Sequence, residues 1–159
     1  DKFVNRSKYS TTYRYINEAD FKDIPYSTVE VLTDSVYGKK RKVSLSIIPQ
    51  RKVNFFEIRT EDSFVFDSIV VQDVSLEINN SKINISSGRI LTYIPSYNEE
   101  KVIINMIFDN KFNPEFSLIE TSFDLMTNSN FNFKPRSNIM MPMPFVTNDA
   151  IILSKNISL

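Results

Sequence analysis

Acidic residues are the first candidates for chemistry in this chain, because both His and Cys are absent from it. Glu61-Asp62 and Glu99-Glu100 are adjacent pairs, and each lies between apolar stretches that are typical of strands. Neighbouring residues of an extended chain point to opposite faces, so an adjacent pair makes a poor acid/base dyad. We therefore interpret both pairs as solvated turn residues.

The missing residue types exclude several classes of active site. Without His there is no Ser-His-Asp triad, and the commonest zinc ligand and general base are gone. Gly38 and Gly88 are the only glycines, which excludes a Gly-rich phosphate loop. We expect no catalytic residue, no cofactor and no metal ligand in this segment.

Charge gives no sign of a nucleic-acid partner. Lys plus Arg and Asp plus Glu both number 19, so the chain has no net charge with which to attract a polyanion. The basic run at 39–42 is too short for a nucleic-acid footprint. Lys is a common guard against edge-to-edge pairing of strands, and this structural interpretation is the favoured one.

Tyrosines crowd the start of the chain at Tyr9, Tyr13 and Tyr15. They could form a stacking platform for a sugar, but Trp, the usual residue for that task, is absent. Packing in the core or docking to another domain is the favoured interpretation.

The apolar pattern predicts strands throughout. Val, Ile, Phe and Tyr are abundant, and Ala occurs only at Ala19 and Ala150. We predict one antiparallel β-sandwich domain over 1–159, immunoglobulin-like or jelly-roll-like, with about nine or ten strands and less than about 15% helix. Residues 1–25 are less regular. The predicted strands cover 28–33, 42–47, 53–58, 64–71, 74–86 (a hairpin around Asn80-Ser81), 89–94 after a turn at Gly88, 101–108, 116–126 and 149–159.

No apolar run approaches the roughly 18 to 20 residues that a membrane-spanning helix needs, so we expect no direct membrane insertion by this segment. The chain starts with Asp1 instead of Met, and we expect it to be a fragment or a processed chain.

The stretch "NIMMPMPFVTNDAIIL" (138–153) has two alternative interpretations. Pro142 and Pro144 suit an extended crossing between two sheets. Met140, Met141 and Met143 would then fill irregular gaps in the core, which is the favoured alternative, or they form an exposed docking surface. The first alternative predicts that Met141 and Phe145 are buried. It also predicts a central strand at 150–153 that is covered on both faces.

Two stretches resemble a known family. They are "VSLSIIPQRKVNFFEI" (43–58) and "NIMMPMPFVTNDAIIL" with the preceding Pro135-Arg136. The chain resembles the C-terminal, non-catalytic extracytoplasmic domain of bacterial multi-spanning membrane zinc metallopeptidases, which are aminopeptidase-like and belong to peptidase family twenty-eight. The resemblance covers about the last two-thirds of the chain and depends on Pro-Gln-Arg and on Met-Pro-x-Pro-Phe before Asn-Asp-Ala.

The resemblance implies an accessory domain that is not itself an enzyme and that belongs to a membrane-anchored, zinc-dependent peptidase. Its partners would be other domains of the same chain or another protein, in an extracytoplasmic location, periplasmic or on the cell surface. The family's zinc-ligand motifs have no counterpart here. Two alternatives remain: a free-standing module that binds a carbohydrate or a protein, and a structural subunit of a surface or viral assembly.

Overall fold

The computed structural model describes residue 18 and residues 20–76, 82–96, 99–142 and 147–159. The chain divides into two compact units, residues 25–121 with 152–159 and residues 1–24 with 122–151. We call the first the sheet unit and the second the loop unit, and describe each separately. The described residues contain no helix, which confirms the predicted all-β class.

Eight strands are present in the described part of the chain. They are β1 (Thr28–Tyr37), β2 (Lys40–Ile48), β3 (Phe55–Val71), β4 (Val74–Ser75), β5 (Ile83–Tyr93), β6 (Val102–Asp109), β7 (Phe116–Ser122) and β8 (Ile151–Ile157).

The first hairpin forms where the sequence predicts it. β1 and β2 pair antiparallel up to Tyr37 opposite Lys40, which leaves Gly38 and Lys39 as a two-residue turn. Gly38 has φ 60 at the first central position, where the tight turns of hairpins favour glycine. The shorter predicted strands at 28–33 and 42–47 therefore lie inside this hairpin.

β3 is a single long strand, whereas the sequence predicts separate strands at 53–58 and 64–71. β5 pairs with residues 56–66 of β3 and β7 with residues 55–60, whereas β6 pairs with residues 66–71 and β4 with residues 70–71. Bulges between Thr60 and Ser63 and between Phe66 and Ser68 interrupt the register without ending the strand. Glu61 and Asp62 thus lie exposed within a strand, and their interpretation as turn residues is wrong.

Gly88 is also part of a strand, so the turn predicted there is wrong. It lies inside β5 opposite Thr60, next to the bulge of β3, with φ 97. A side chain would strain this backbone conformation, so glycine allows β5 to follow the bulge. The turn of the hairpin predicted around Asn80-Ser81 lies outside the described residues. On either side of it, Val74 and Ser75 and residues 83–86 pair with β3.

The strands form two antiparallel sheets that share β3 and do not close into a barrel, consistent with the predicted β-sandwich. The strand order is β1-β2-β6-β3-β7-β8, with β4 and β5 also paired to β3. β8 ends this order and Ile152 is exposed, so the prediction of a central strand covered on both faces is wrong.

The core of the sheet unit is one apolar cluster to which both sheets contribute. β6 alternates buried and half-buried residues along its whole length, as expected for a strand with one face in the core. Three phenylalanine rings pack together in this core. The ring centroids of Phe66 and Phe108 lie 5.9 Å apart and those of Phe108 and Phe116 lie 6.4 Å apart, and both pairs meet edge to face.

Candidate docking surface and the ion pairs of the motifs

Large apolar side chains lie exposed in the loop unit. Ile139 is 92% exposed, Met140 62% and Met141 86%, and Phe133 is also exposed. We call these four residues the apolar loop surface. The predicted burial of Met141 is wrong, because flexible Met side chains can fill a gap or cover a surface and composition alone does not distinguish the two.

Backbone hydrogen bonds shape the segment that leads to this surface. The amides of Thr127 and Asn128 donate to the carbonyl of Asp124 at 3.0 and 2.8 Å. The Met140 amide donates to the carbonyl of Ser137 at 2.8 Å, which closes a turn just before Met141. Phe131 and Phe133 stack with ring centroids 5.8 Å apart. The segment at 131–137 has no regular secondary structure.

Asp149 contacts two other segments of the loop unit, one at Leu125 and one at Arg136. Its carboxylate forms an ion pair with Arg136, and its carbonyl accepts the Leu125 amide at 3.2 Å. Asp149 has φ 52, a left-handed conformation that Asp tolerates better than most residues. Pro135-Arg136 and Asn148-Asp149, two of the motifs behind the family resemblance, are therefore in direct contact.

Other predicted site residues lie outside the described residues. These are Tyr9, Tyr13, Tyr15, Met143 and Phe145, so the docking or packing role of the tyrosines stays a prediction. Of the predicted docking residues, Met140 and Met141 are described, and both are exposed.

Arg51 of the Pro-Gln-Arg motif binds a buried carboxylate in the sheet unit. Glu120 is 1% exposed. Its Oε1 accepts Arg51 Nε at 3.2 Å, and its Oε2 accepts the Ser27 amide at 2.9 Å. The pair connects the segment before β1, the β2–β3 connection and β7. Sequence reasoning missed Glu120, although a charged residue inside the apolar run "FSLIETSF" was a usable signal.

Glu99 is a second carboxylate held by several hydrogen bonds, and its interpretation as a solvated turn residue is wrong. Tyr93 Oη donates to its two oxygens at 2.8 and 2.9 Å, the Ser96 amide donates at 3.0 Å, and Gln72 Nε2 also donates. Burial acts to raise the pKa of Glu99, but these hydrogen bonds outweigh it and lower the pKa. Burial, reinforced by the hydrogen bond to Glu99, raises the pKa of Tyr93 to about 12.

A cleft of about 720 Å³ lies beside this carboxylate. Residues 49–54 form one wall, and residues 94–96 with Glu99 form the other. Both carboxylates near the cleft, Glu99 and Glu120, hold loops together through their hydrogen bonds. Their geometry supports a structural role better than acid/base chemistry.

The basic run at 39–42 makes ion pairs within the chain. Lys40 Nζ lies 2.5 Å from Asp67 Oδ2, and Arg41 Nη2 lies 2.6 Å from Asp34 Oδ2. Hydrogen bonds from these two cations lower the pKa values of Asp67 and Asp34. These ion pairs support a structural role for the run, but β2 pairs with β1 and β6 on its two sides, so the interpretation as a guard of a sheet edge is wrong.

Within the described residues, no three His, Cys, Asp or Glu side chains are grouped so that they could hold a metal ion. That part of the chain also lacks any helix long and apolar enough to cross a membrane. Comparison with family models, curated proteins and solved structures gave no match.

Proposed function

We propose that this chain is a non-catalytic docking domain, and that it works by packing the apolar loop surface against another domain or protein. The observation that supports this proposal most directly is the near-complete exposure of Ile139 and Met141, with Phe133 also exposed in the same unit. Contiguous exposed apolar side chains are typical of interaction sites. Met is also common at interaction surfaces, because its flexible side chain adapts to the partner.

Local structure holds this surface in a defined shape. The turn from Ser137 to Met140 and the ion pair between Arg136 and Asp149 fix the chain on its N-terminal side. A surface ordered before binding loses less conformational entropy on association than a disordered one. The loop is therefore suited to recognition of one partner surface.

The resemblance at 43–58 and 138–153 adds a proposed context, in which the domain belongs to a membrane-anchored zinc metallopeptidase. The catalytic domain of that peptidase would be the natural partner of the apolar loop surface. The amino-acid sequence of the complete gene product tests this context. Hydrophobic spans and a His-Asp-Glu peptidase motif elsewhere in it are expected, and a signal peptide without any span would instead favour a free-standing binding module.

A binding experiment tests the docking role itself. The 159-residue chain and the remainder of the gene product are prepared separately, and their association is measured by calorimetry. The double substitution Ile139→Ser and Met141→Ser should weaken binding at least tenfold, since buried apolar anchors dominate most interfaces. Val74→Ser is the matched control, because Val74 is also exposed but lies in β4.

The expected outcome has two parts. The double variant should unfold at the same urea concentration as the parent, because its side chains are exposed, and it should bind weakly. Equal binding by the parent, the double variant and the Val74→Ser control would refute the docking role. The proposed peptidase context can fail independently of the docking role, because the sequence of the complete gene product tests it.

A further inference from the structure

Strand β1 has an unusual edge. It ends the strand order, and among the described residues only β2 pairs with it. Its Val31, Leu32, Val36 and Tyr37 are all exposed. Edge strands are commonly protected by Lys or Pro, and β1 contains neither. Within the described residues, the outer edge of β1 is therefore unpaired and accessible to another strand.

A bulge in β1 decides which side chains share a face. Before the bulge, Val29 and Val31 lie opposite Ile47 and Leu45, and both of these partners are fully buried. Residues directly opposite each other in an antiparallel pair lie on the same face of the sheet. Val29 and Val31 therefore lie on the core-side face of β1.

Beyond the bulge the alternation shifts by one residue. Asp34 and Val36 now lie opposite Val43 and Arg41, which continue the core-side row of β2. The other face of β1 consists of Thr28, Glu30, Thr33, Ser35 and Tyr37. Core-side residues thus have odd numbers in the first half of the strand and even numbers in the second half.

This shift makes β1 complementary to itself in the antiparallel direction. When two copies are aligned so that all 10 residues of β1 are paired, Val29 lies opposite Val36 and Val31 opposite Asp34, core side to core side. In the same register Thr28 lies opposite Tyr37, and Glu30 opposite Ser35. Leu32 and Thr33, at the bulge, lie next to the two-fold axis.

The charges of the strand allow this register. Glu30 would lie opposite a hydroxyl, and Asp34 is already neutralised by Arg41 of its own copy at 2.6 Å. Like charges directly opposite each other destabilise a strand pair, and this register contains none. The exposed Val36 would lie against Val29 of the other copy at both ends of the pair, while Val31 would lie opposite the Asp34–Arg41 ion pair.

We propose that two copies of this chain associate through β1, as an antiparallel pair that joins their sheets into one. A two-fold interface of this kind is isologous, so every contact occurs twice. The proposal does not depend on the apolar loop surface, which belongs to the loop unit.

Sedimentation equilibrium over a dilution series of the 159-residue chain tests the proposal. A monomer–dimer equilibrium is expected. Ser35→Glu should raise the dimer dissociation constant by roughly 5- to 30-fold, because it places a second carboxylate opposite Glu30 at two symmetric positions. The substitution should not unfold the chain, since position 35 faces Lys42 of β2.

Two further variants make the test specific. Adding Glu30→Lys to Ser35→Glu restores opposite charges at both positions, and the dissociation constant should return towards that of the parent. Ser154→Glu introduces the same charge at an exposed position of β8 and should leave it unchanged. A monomeric parent, an undiminished Ser35→Glu dimer, or failure of the charge swap to restore association would each overturn the proposal.

Discussion

The buried carboxylate of Glu120 offers the sharpest test of how the sheet unit holds together. Glu120→Gln keeps the shape of the side chain and removes its charge. The amide group then presents one acceptor oxygen and a donor where the carboxylate accepts Arg51 Nε and the Ser27 amide. One of these two donors must lose its acceptor.

The stability lost in Glu120→Gln can be estimated from the burial of the Arg51–Glu120 ion pair. The side chains of Arg51 and Glu120 are 10% and 2% exposed, so water does not replace the lost interaction. Removing one partner of a buried pair typically costs about 3 to 5 kcal/mol. That is a large share of the roughly 5 to 15 kcal/mol that stabilises a domain.

Glu57→Gln is the matched control. Glu57 also binds two arginines, Arg59 at 3.1 Å and Arg89 at 3.2 Å, but those side chains are 32% and 59% exposed. Ion pairs with solvated partners contribute about 0 to 1 kcal/mol each. Glu57→Gln should therefore cost at most about 2 kcal/mol.

Urea denaturation measures both variants. With an m-value of about 2 kcal/mol per molar, Glu120→Gln should lower the midpoint by roughly 1.5 to 2.5 M and Glu57→Gln by less than about 1 M. The reasoning would be refuted if both variants lowered the midpoint equally, or if Glu57→Gln lowered it more.

Three other predictions concern the fold. The folded pKa of Glu99 lies below its ordinary value of 4.5, so its contribution to stability is present above that value and is lost as pH falls through the folded pKa. Glu99→Gln should therefore flatten the decline of the urea midpoint between pH 6 and pH 3. An unchanged decline would contradict this prediction. Gly88→Ala should lower the melting temperature, because a side chain strains the backbone at φ 97; an unchanged melting temperature would argue against the bulge geometry. Phe66→Ala should cost about 3 to 5 kcal/mol in urea denaturation, since it removes one of three mutually packed, fully buried rings; a cost below about 1 kcal/mol would contradict its placement.

Local sequence signals predicted the parts of the fold that local physics determines. Gly38 marked the first hairpin, and the apolar run at 101–108 correctly predicted a strand. Glu61-Asp62 misled, because two acidic residues in a row suggest a turn, whereas bulges in β3 allow them to stay solvated inside a strand. Gly88 misled for the same reason, since its positive φ serves a bulge instead of a chain reversal.

Partners that are distant in sequence could not be predicted. Arg51 and Glu120 are 69 residues apart, and only the three-dimensional fold shows that they meet. The favoured prediction for Met140 and Met141 failed for a different reason, because the same composition suits a buried plug and an exposed surface. Their exposure in the structure contradicts the buried plug.

Oxidation of the methionines by hydrogen peroxide, followed residue by residue by mass spectrometry, tests the docking role most directly. Met106, which is fully buried, is the internal reference for a side chain that should resist oxidation in every sample. In the isolated 159-residue chain, Met140 and Met141 should oxidise fast. In the complete gene product, or with its partner domain added, the account predicts that both become protected while the partly exposed Met126 reacts as before. Equal oxidation of Met140 and Met141 in all of these samples would contradict it.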